Sequence, residues 1–263
     1  GGHNTTIKKF NKPFVRKFYK KYYSSNNMIL SISGKTPKNI ENIISKHFNI
    51  NRIKKIPSTP SYSNFTSFQK KSKFKSLVKS FPQSYVGISF PLYNYHDQKT
   101  YPFDLIDTIL CGNMSARLFV KLRDKSGLVY IINSDTDYFN DVGIYTIYFG
   151  TYPDKIKKAY NIVINELIDL KTNLVSKDEL KKAIDYSIGS LKLSSENTEY
   201  IAYNNFAEYY YTKKIIPMNT VLKKIKNVNP TQIKNVANQI FDFNKINVTV
   251  VNNKKINNFI KPF

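Results

Sequence analysis

Cys111-Gly-Asn-Met-Ser-Ala-Arg-Leu-Phe-Val-Lys-Leu-Arg-Asp-Lys-Ser-Gly-Leu-Val-Tyr130 is the stretch that decides how the chain folds. Its Gly112-Asn113 pair breaks a helix that the preceding pattern predicts over about 97–111. Ser115 is expected to cap a short helix over 115–124, with Leu118, Phe119 and Leu122 on its inner face. Gly127 then permits the turn into a strand that begins at Leu128. This order brings Arg123 and Tyr130 to the same end of one helix–strand junction. One is a fixed cation with five donors, the other a phenol donor. Two such donors can polarise a peptide carbonyl and stabilise its oxyanion. On spacing alone the plain alternative is structural: an Arg capping a helix end and a Tyr packed on a strand.

Working outward, the strand predicted over about 128–138 meets a second over 142–150 through Asn140-Asp141, a good turn pair. Upstream, a strand starting at Ser76 places Val86, Ile88 and Phe90 on one side and Tyr85, Gly87 and Ser89 on the other. Downstream, Ile156, Tyr160, Val163, Leu167 and Leu170 form a helical stripe. Ser176 and Glu179 read as a capping box, with Val175 and Leu180 as its staple. Asn229-Pro230 opens a further helix through Ile233, Val236, Ala237 and Ile240, and residues 245–251 close as a strand. The set predicts an α+β fold, a mixed or antiparallel sheet covered by helices.

The first fifty residues read as helix, strand and helix. Phe10, Phe14, Phe18 and Tyr22 recur at every fourth position over 10–24, the pattern of a packed face or of a membrane-surface helix. A short β-run is expected over 27–33, ending at Gly34, and Pro37 opens a second helix through Ile40, Ile43, Ile44 and Phe48. Residues 57–76 read as a Pro/Ser-rich then Lys/Ser-rich linker.

Composition narrows the function classes. No apolar run approaches the length of a membrane-spanning helix. The start, Gly1-Gly2-His3-Asn4, has no initiator Met and no apolar signal core, so the chain is expected to be a fragment or a processed product. The lone Cys111 forms no internal disulfide, which fits a reducing intracellular compartment, and with no His nearby it reads as a packed residue. The net charge of +23 raises the question of a polyanionic partner such as nucleic acid. Only Arg16, Arg52, Arg117 and Arg123 are arginines, however, and readers of nucleic acid favour Arg. The Lys, Asn and Ile excess is expected of an AT-rich genome. His3, His47 and His96 lie far apart and in no H-x-x-E-H or H-E-x-x-H frame, so no metal site is expected in this chain.

The run from Gly112 to Phe119, followed by Leu122 to Tyr130, resembles the second-domain signature of the pitrilysin, insulysin and mitochondrial processing peptidase family of inverted-motif zinc peptidases. Residues 14–34 look like that family's late first-domain segment, 142–151 like the strand after its Arg/Tyr loop, and Val228–Ala237 like a later helix. The resemblance implies a late first-domain segment over 1–56, a linker over 57–76 and a substrate-binding domain over 77–263. It also implies that the 10–24 helix packs on a first-domain sheet, and that Arg123 and Tyr130 reach substrate only in an intact assembly. Zinc and its ligands are expected in a missing amino-terminal half or partner subunit, with a peptide as substrate. Alone, the chain is expected to be inactive. The rival expectations are a non-catalytic structural or assembly homologue and a basic nucleic-acid- or virion-associated protein.

Overall fold

The computed structural model describes residues 2–48 and 69–259. They fall into two compact units, Gly1–Ser61 with Ser194–Ile215 and Tyr62–Leu193 with Ile216–Phe263. In chain order the elements are α1 (Asn4–Ile7), α2 (Lys12–Tyr22), α3 (Ile40–His47), β1 (Lys73–Val78), β2 (Ser84–Leu92), α4 (Thr100–Leu110), β3 (Val129–Tyr138), β4 (Gly143–Thr151), α5 (Ile156–Thr172), α6 (Lys177–Ser194), α7 (Thr198–Thr212), α8 (Met218–Lys226), α9 (Pro230–Ile240) and β5 (Asn247–Asn252). A π-helical turn, Phe119–Asp124, stands between α4 and β3.

In the first unit, Pro13 lies in the first turn of α2 and Asn11 caps it, accepting from the Phe14 N–H at 2.9 Å. Phe10, Phe14 and Phe18 form the expected stripe, yet they remain 58%, 48% and 50% exposed. The strand expected over 27–33 is absent. A 3-10 turn over Ser25–Asn27 leads into extended chain, and Met28, Ile29, Leu30 and Ile32 stay exposed. A strand needs a ladder, and no described segment supplies one here. Most of the linker expected over 57–76 lies outside the described residues, and Lys73 already belongs to β1.

The second unit is a five-stranded sheet in the order β1-β5-β2-β4-β3. β1 and β5 run parallel, and the other neighbours are antiparallel. The sheet is therefore mixed and the fold α+β. Period-two alternation sends Val86, Ile88, Phe90, Tyr145, Ile147, Phe149, Val248 and Val250 to one face, where all are buried. α4, α5 and α9 cover that face, contributing Phe103, Ile106, Leu110, Val163, Leu167, Ile233 and Val236 to the same core. Phe90, Phe103, Tyr145 and Phe241 meet at its centre, with Phe103 edge-on to Tyr145 at 4.9 Å. The α9 start is as the sequence predicts. Asn229 accepts from the Gln232 N–H at 3.0 Å and Gln232 accepts from the Asn229 N–H at 2.9 Å. At α6 only half of the predicted box forms. Ser176 Oγ accepts from the Glu179 N–H at 3.1 Å, while the Glu179 carboxylate turns to an arginine instead.

Tyr145 carries its hydroxyl into this core and donates to Asp107 Oδ1 at 2.9 Å; Ser134 Oγ donates to the same oxygen at 2.5 Å. Burial raises the Asp107 carboxyl above its ordinary value, more than these two donors lower it. Burial, then the charge of Asp107, pushes the Cys111 thiol up to about 12, so it is an unreactive packed group. A raised carboxyl contributes stability that is full below its unfolded value near 4 and is lost as pH rises through the folded value. Asn at 107 keeps the accepting oxygen and does not titrate. Urea unfolding at pH 4 and pH 7 is therefore expected to show Asp107→Asn gaining on wild type as pH rises. A difference that shrinks over that interval would contradict the buried-carboxyl assignment.

Candidate functional site

Arg117 anchors the 111–130 stretch. Its Nε and Nη2 meet the two carboxylate oxygens of Glu179 at 2.7 Å each, and Nη1 meets Asp169 Oδ2 at 2.6 Å. Glu166, 5% exposed, lies 3.7 Å from the same guanidinium and is also bonded by Lys121. One planar fork thus ties this stretch to both α5 and α6. Asn173 first, and then Arg117, hold the Asp169 carboxyl below its ordinary value.

The segment beyond Arg117 is a π turn where the sequence predicts an ordinary helix. Ser115 does not cap it: its N–H and Oγ donate to Asn113 Oδ1 at 2.9 Å and 2.6 Å in the preceding turn, and the π turn starts after Leu118 with no side-chain cap. The wide turn closes with the Lys125 N–H donating to Val120 O at 2.9 Å, and π turns recur at functional sites. Arg123 projects from this turn, exposed, with its guanidinium 5.2 Å over the Phe119 ring. Gly127 follows at φ +55°, the left-handed conformation the turn requires.

Tyr130 lies at a bulge. Val129 pairs with Thr151 and Ile131 with Gly150, so Tyr130 is the extra residue. Its ring lies across β4 above Gly150, where an added Cβ would come 2.4 Å from Tyr130 Cε1. Beyond Gly150, in register, stands Tyr85 of β2, and the Tyr130 hydroxyl donates to the Tyr85 hydroxyl at 2.8 Å. That bond, with a smaller contribution from desolvation, raises the Tyr130 phenol and keeps it protonated. Both rings stay on the open face of the sheet, 44% and 42% exposed. Arg123 and Tyr130 are thus both accessible near one junction, but each has its own partner, Phe119 for one and Tyr85 for the other. Sequence reasoning missed Tyr85 and Gly150. The alternation put Tyr85 on the correct face, but only the register shows that Gly150 separates it from Tyr130.

Among the described residues, no group of three His, Cys, Asp or Glu could hold a metal ion, and no helix is long and apolar enough to cross a membrane.

If Gly150 is the seat of the Tyr130 ring, Gly150→Ala must displace it while leaving the buried face of the sheet untouched. Ring-to-ring NOEs between Tyr85 and Tyr130 are expected in wild type and are expected to vanish in the variant, with a melting temperature shifted by only a few degrees. NOEs that persist would contradict this seating.

The family model for the peptidase M16 inactive domain matches residues 9–186. An uncharacterized zinc protease of Rickettsia felis is 27% identical over 241 residues, covering 91% of this chain and 57% of that protein. The uncharacterized zinc protease YmxG of Bacillus subtilis is 23% identical over 240 residues, covering 91% and 58%. The chain therefore spans little more than half the length of these relatives. In structure it is similar to a protease from Helicobacter pylori, with a TM-score of 0.82 at 18% identity, covering 95% of this chain and 61% of that one. A peptidase M16 inactive domain from Pseudomonas fluorescens gives 0.75 at 16% identity, covering 99% and 61%. A chain of complex III2 from Candida albicans gives 0.75 at 13% identity, covering 95% and 61%. With the family model matching well over half of its residues, the chain belongs to the peptidase M16 inactive-domain family.

Proposed function

We propose that this chain is the substrate-contacting, zinc-free lobe of a zinc-peptidase-like assembly. The family match over residues 9–186 carries the reading. The relatives named as zinc proteases are more than half as long again, which leaves room for a zinc-bearing lobe outside the matched region. The exposed Phe14 and Phe18 of α2, with Phe10 just before it against Phe14, support a partner as well, because an apolar stripe is seldom left in water.

In such an assembly zinc, held by the other lobe, would activate the attacking water. This chain would supply donors. Tyr130 stands protonated on the open sheet face, with Tyr85 as an alternative partner for its hydroxyl. Arg123 brings a permanent positive charge from the π turn. Turned toward a peptide carbonyl, the two would stabilise the charge that develops on its oxygen. Tyr85 would hold Tyr130 ready in the absence of substrate.

A second reading is a non-catalytic assembly subunit of the same fold, favoured by the similarity to a chain of complex III2. The family match does not favour a nucleic-acid- or virion-associated role.

The test is to combine the chain with a zinc-bearing lobe, establish peptide cleavage, and then compare variants of matched stability. Tyr130→Phe keeps the ring and removes the donor, and a fall of about 10²–10³ in kcat is expected. Arg123→Lys is also expected to impair cleavage, since an ammonium cannot reproduce the guanidinium fork. Values of kcat within about threefold of wild type, under ~0.7 kcal/mol, in both variants would leave the pair structural.

A further inference from the structure

Lysine is spread along the sequence, but folding gathers a dense share of it around one edge of the sheet. β1 is a terminal strand, and among the described residues it pairs only with β5. The Lys73 and Lys79 N–H groups donate to Ile246 O and Asn252 O, each at 2.9 Å. Backbone alternation therefore turns the N–H and C=O of Phe74, Ser76 and Val78 toward the open edge. Lys70, Lys71, Lys73, Lys75 and Lys79 lie on or beside this strand, all exposed. Lys245, Lys254 and Lys255 flank its neighbour β5. No Asp or Glu occurs over 69–83 or 246–259, and only Lys245 has an acidic partner, Asp242 at 3.4 Å.

The edge is not uniformly charged. Lys73 and Lys75 share the open face of the sheet with Leu77, and a hollow of about 440 Å³ lies against Lys73, Phe74, Lys75, Asn247, Val248 and Thr249. Toward the other end, Leu77, Val78 and Phe81 are 37%, 57% and 50% exposed. Lysines stand at both ends, Lys73 and Lys75 at one and Lys79, Lys254 and Lys255 at the other, but an edge that only guards against aggregation would not also expose Leu77, Val78 and Phe81.

We propose that β1 accepts an added strand: an extended peptide segment with Asp or Glu at alternate positions in one half and apolar side chains in the other. Backbone groups at strand spacing that have no partner among the described residues would hold its main chain. Lys73 and Lys75 would face its carboxylates across the new ladder, and Leu77, Val78 and Phe81 would cover its apolar half. This proposal does not depend on a zinc-bearing lobe.

The test uses the full 263-residue chain and a fluorescent dodecapeptide, alternating Glu and Thr in its first half and Val and Thr in its second, followed by polarisation. Binding is expected, weakening as salt is raised. Three changes are each expected to weaken it at least tenfold: replacing Glu by Lys in the peptide, N-methylating alternate peptide amides, and Lys73→Glu with Lys75→Glu in a chain whose melting temperature is checked. The N-methylated peptide leaves the protein unaltered, so folding cannot confuse its result. Absence of binding, or equal binding of the N-methylated or Lys peptide, would overturn the proposal. So would a single-stranded DNA of equal charge that displaces the peptide and binds more tightly, which would assign the edge to nucleic acid.

Discussion

Arg117 holds together the part of the molecule on which its function would rest. Three carboxylates, Glu166, Asp169 and Glu179, converge on the segment that connects α4 to β3, and Arg117 and Lys121 are the cations that meet them. Glu166 and the Arg117 side chain are largely buried, so the cluster is stable only while the charges are matched. Removing one partner of such a group typically costs about 3–5 kcal/mol, because the remaining charges stay out of water. The connection is therefore pinned to α5 and α6 at its start, and only its far end is free to present side chains.

That pinning explains how an exposed site can still be ordered. The π turn begins at Phe119, directly after the anchored stretch, and carries Arg123 outward against the Phe119 ring. Leu128 and Val129 then enter the core, with Thr151 Oγ1 donating to Leu128 O at 2.6 Å, and the bulge that follows directs Tyr130 to the open face. Gly150 offers the only kind of surface on which that ring can lie flat across β4, one without a Cβ. Each step depends on a particular residue type in the motif: Arg117 for the bidentate clamp, Gly127 for the left-handed turn, Gly150 for close approach.

Much of this was legible in the sequence because local rules agreed with the tertiary structure. Alternation at Val86, Ile88 and Phe90 gave the buried face of β2, the turn pair Asn140-Asp141 separated β3 from β4, and Asn229-Pro230 gave the start of α9, where a side-chain cap forms. Where the reading failed, a long-range partner outbid a local one. Glu179 completes no capping box because Arg117, distant in sequence, offers two charge-assisted bonds. The β-run at 27–33 has the composition of a strand but no described ladder partner. Phe14 and Phe18 were read correctly as one face of a helix, although Phe10 stands before its start, and periodicity does not say what covers a face. Tyr85 was invisible as a site residue because its relation to Tyr130 is one of strand register, which one sequence does not state.

Amide hydrogen exchange over Leu118–Leu128, compared between wild type and Arg117→Met, tests most directly whether the charge cluster holds this segment in place. Expected is exchange at least about tenfold faster across that segment in the variant, equivalent to ~1.4 kcal/mol of lost protection, with the β2–β4 ladder less affected. Unchanged exchange over Leu118–Leu128 in a variant that has lost the guanidinium would contradict it, and the order of the Arg123 and Tyr130 platform would then need another source.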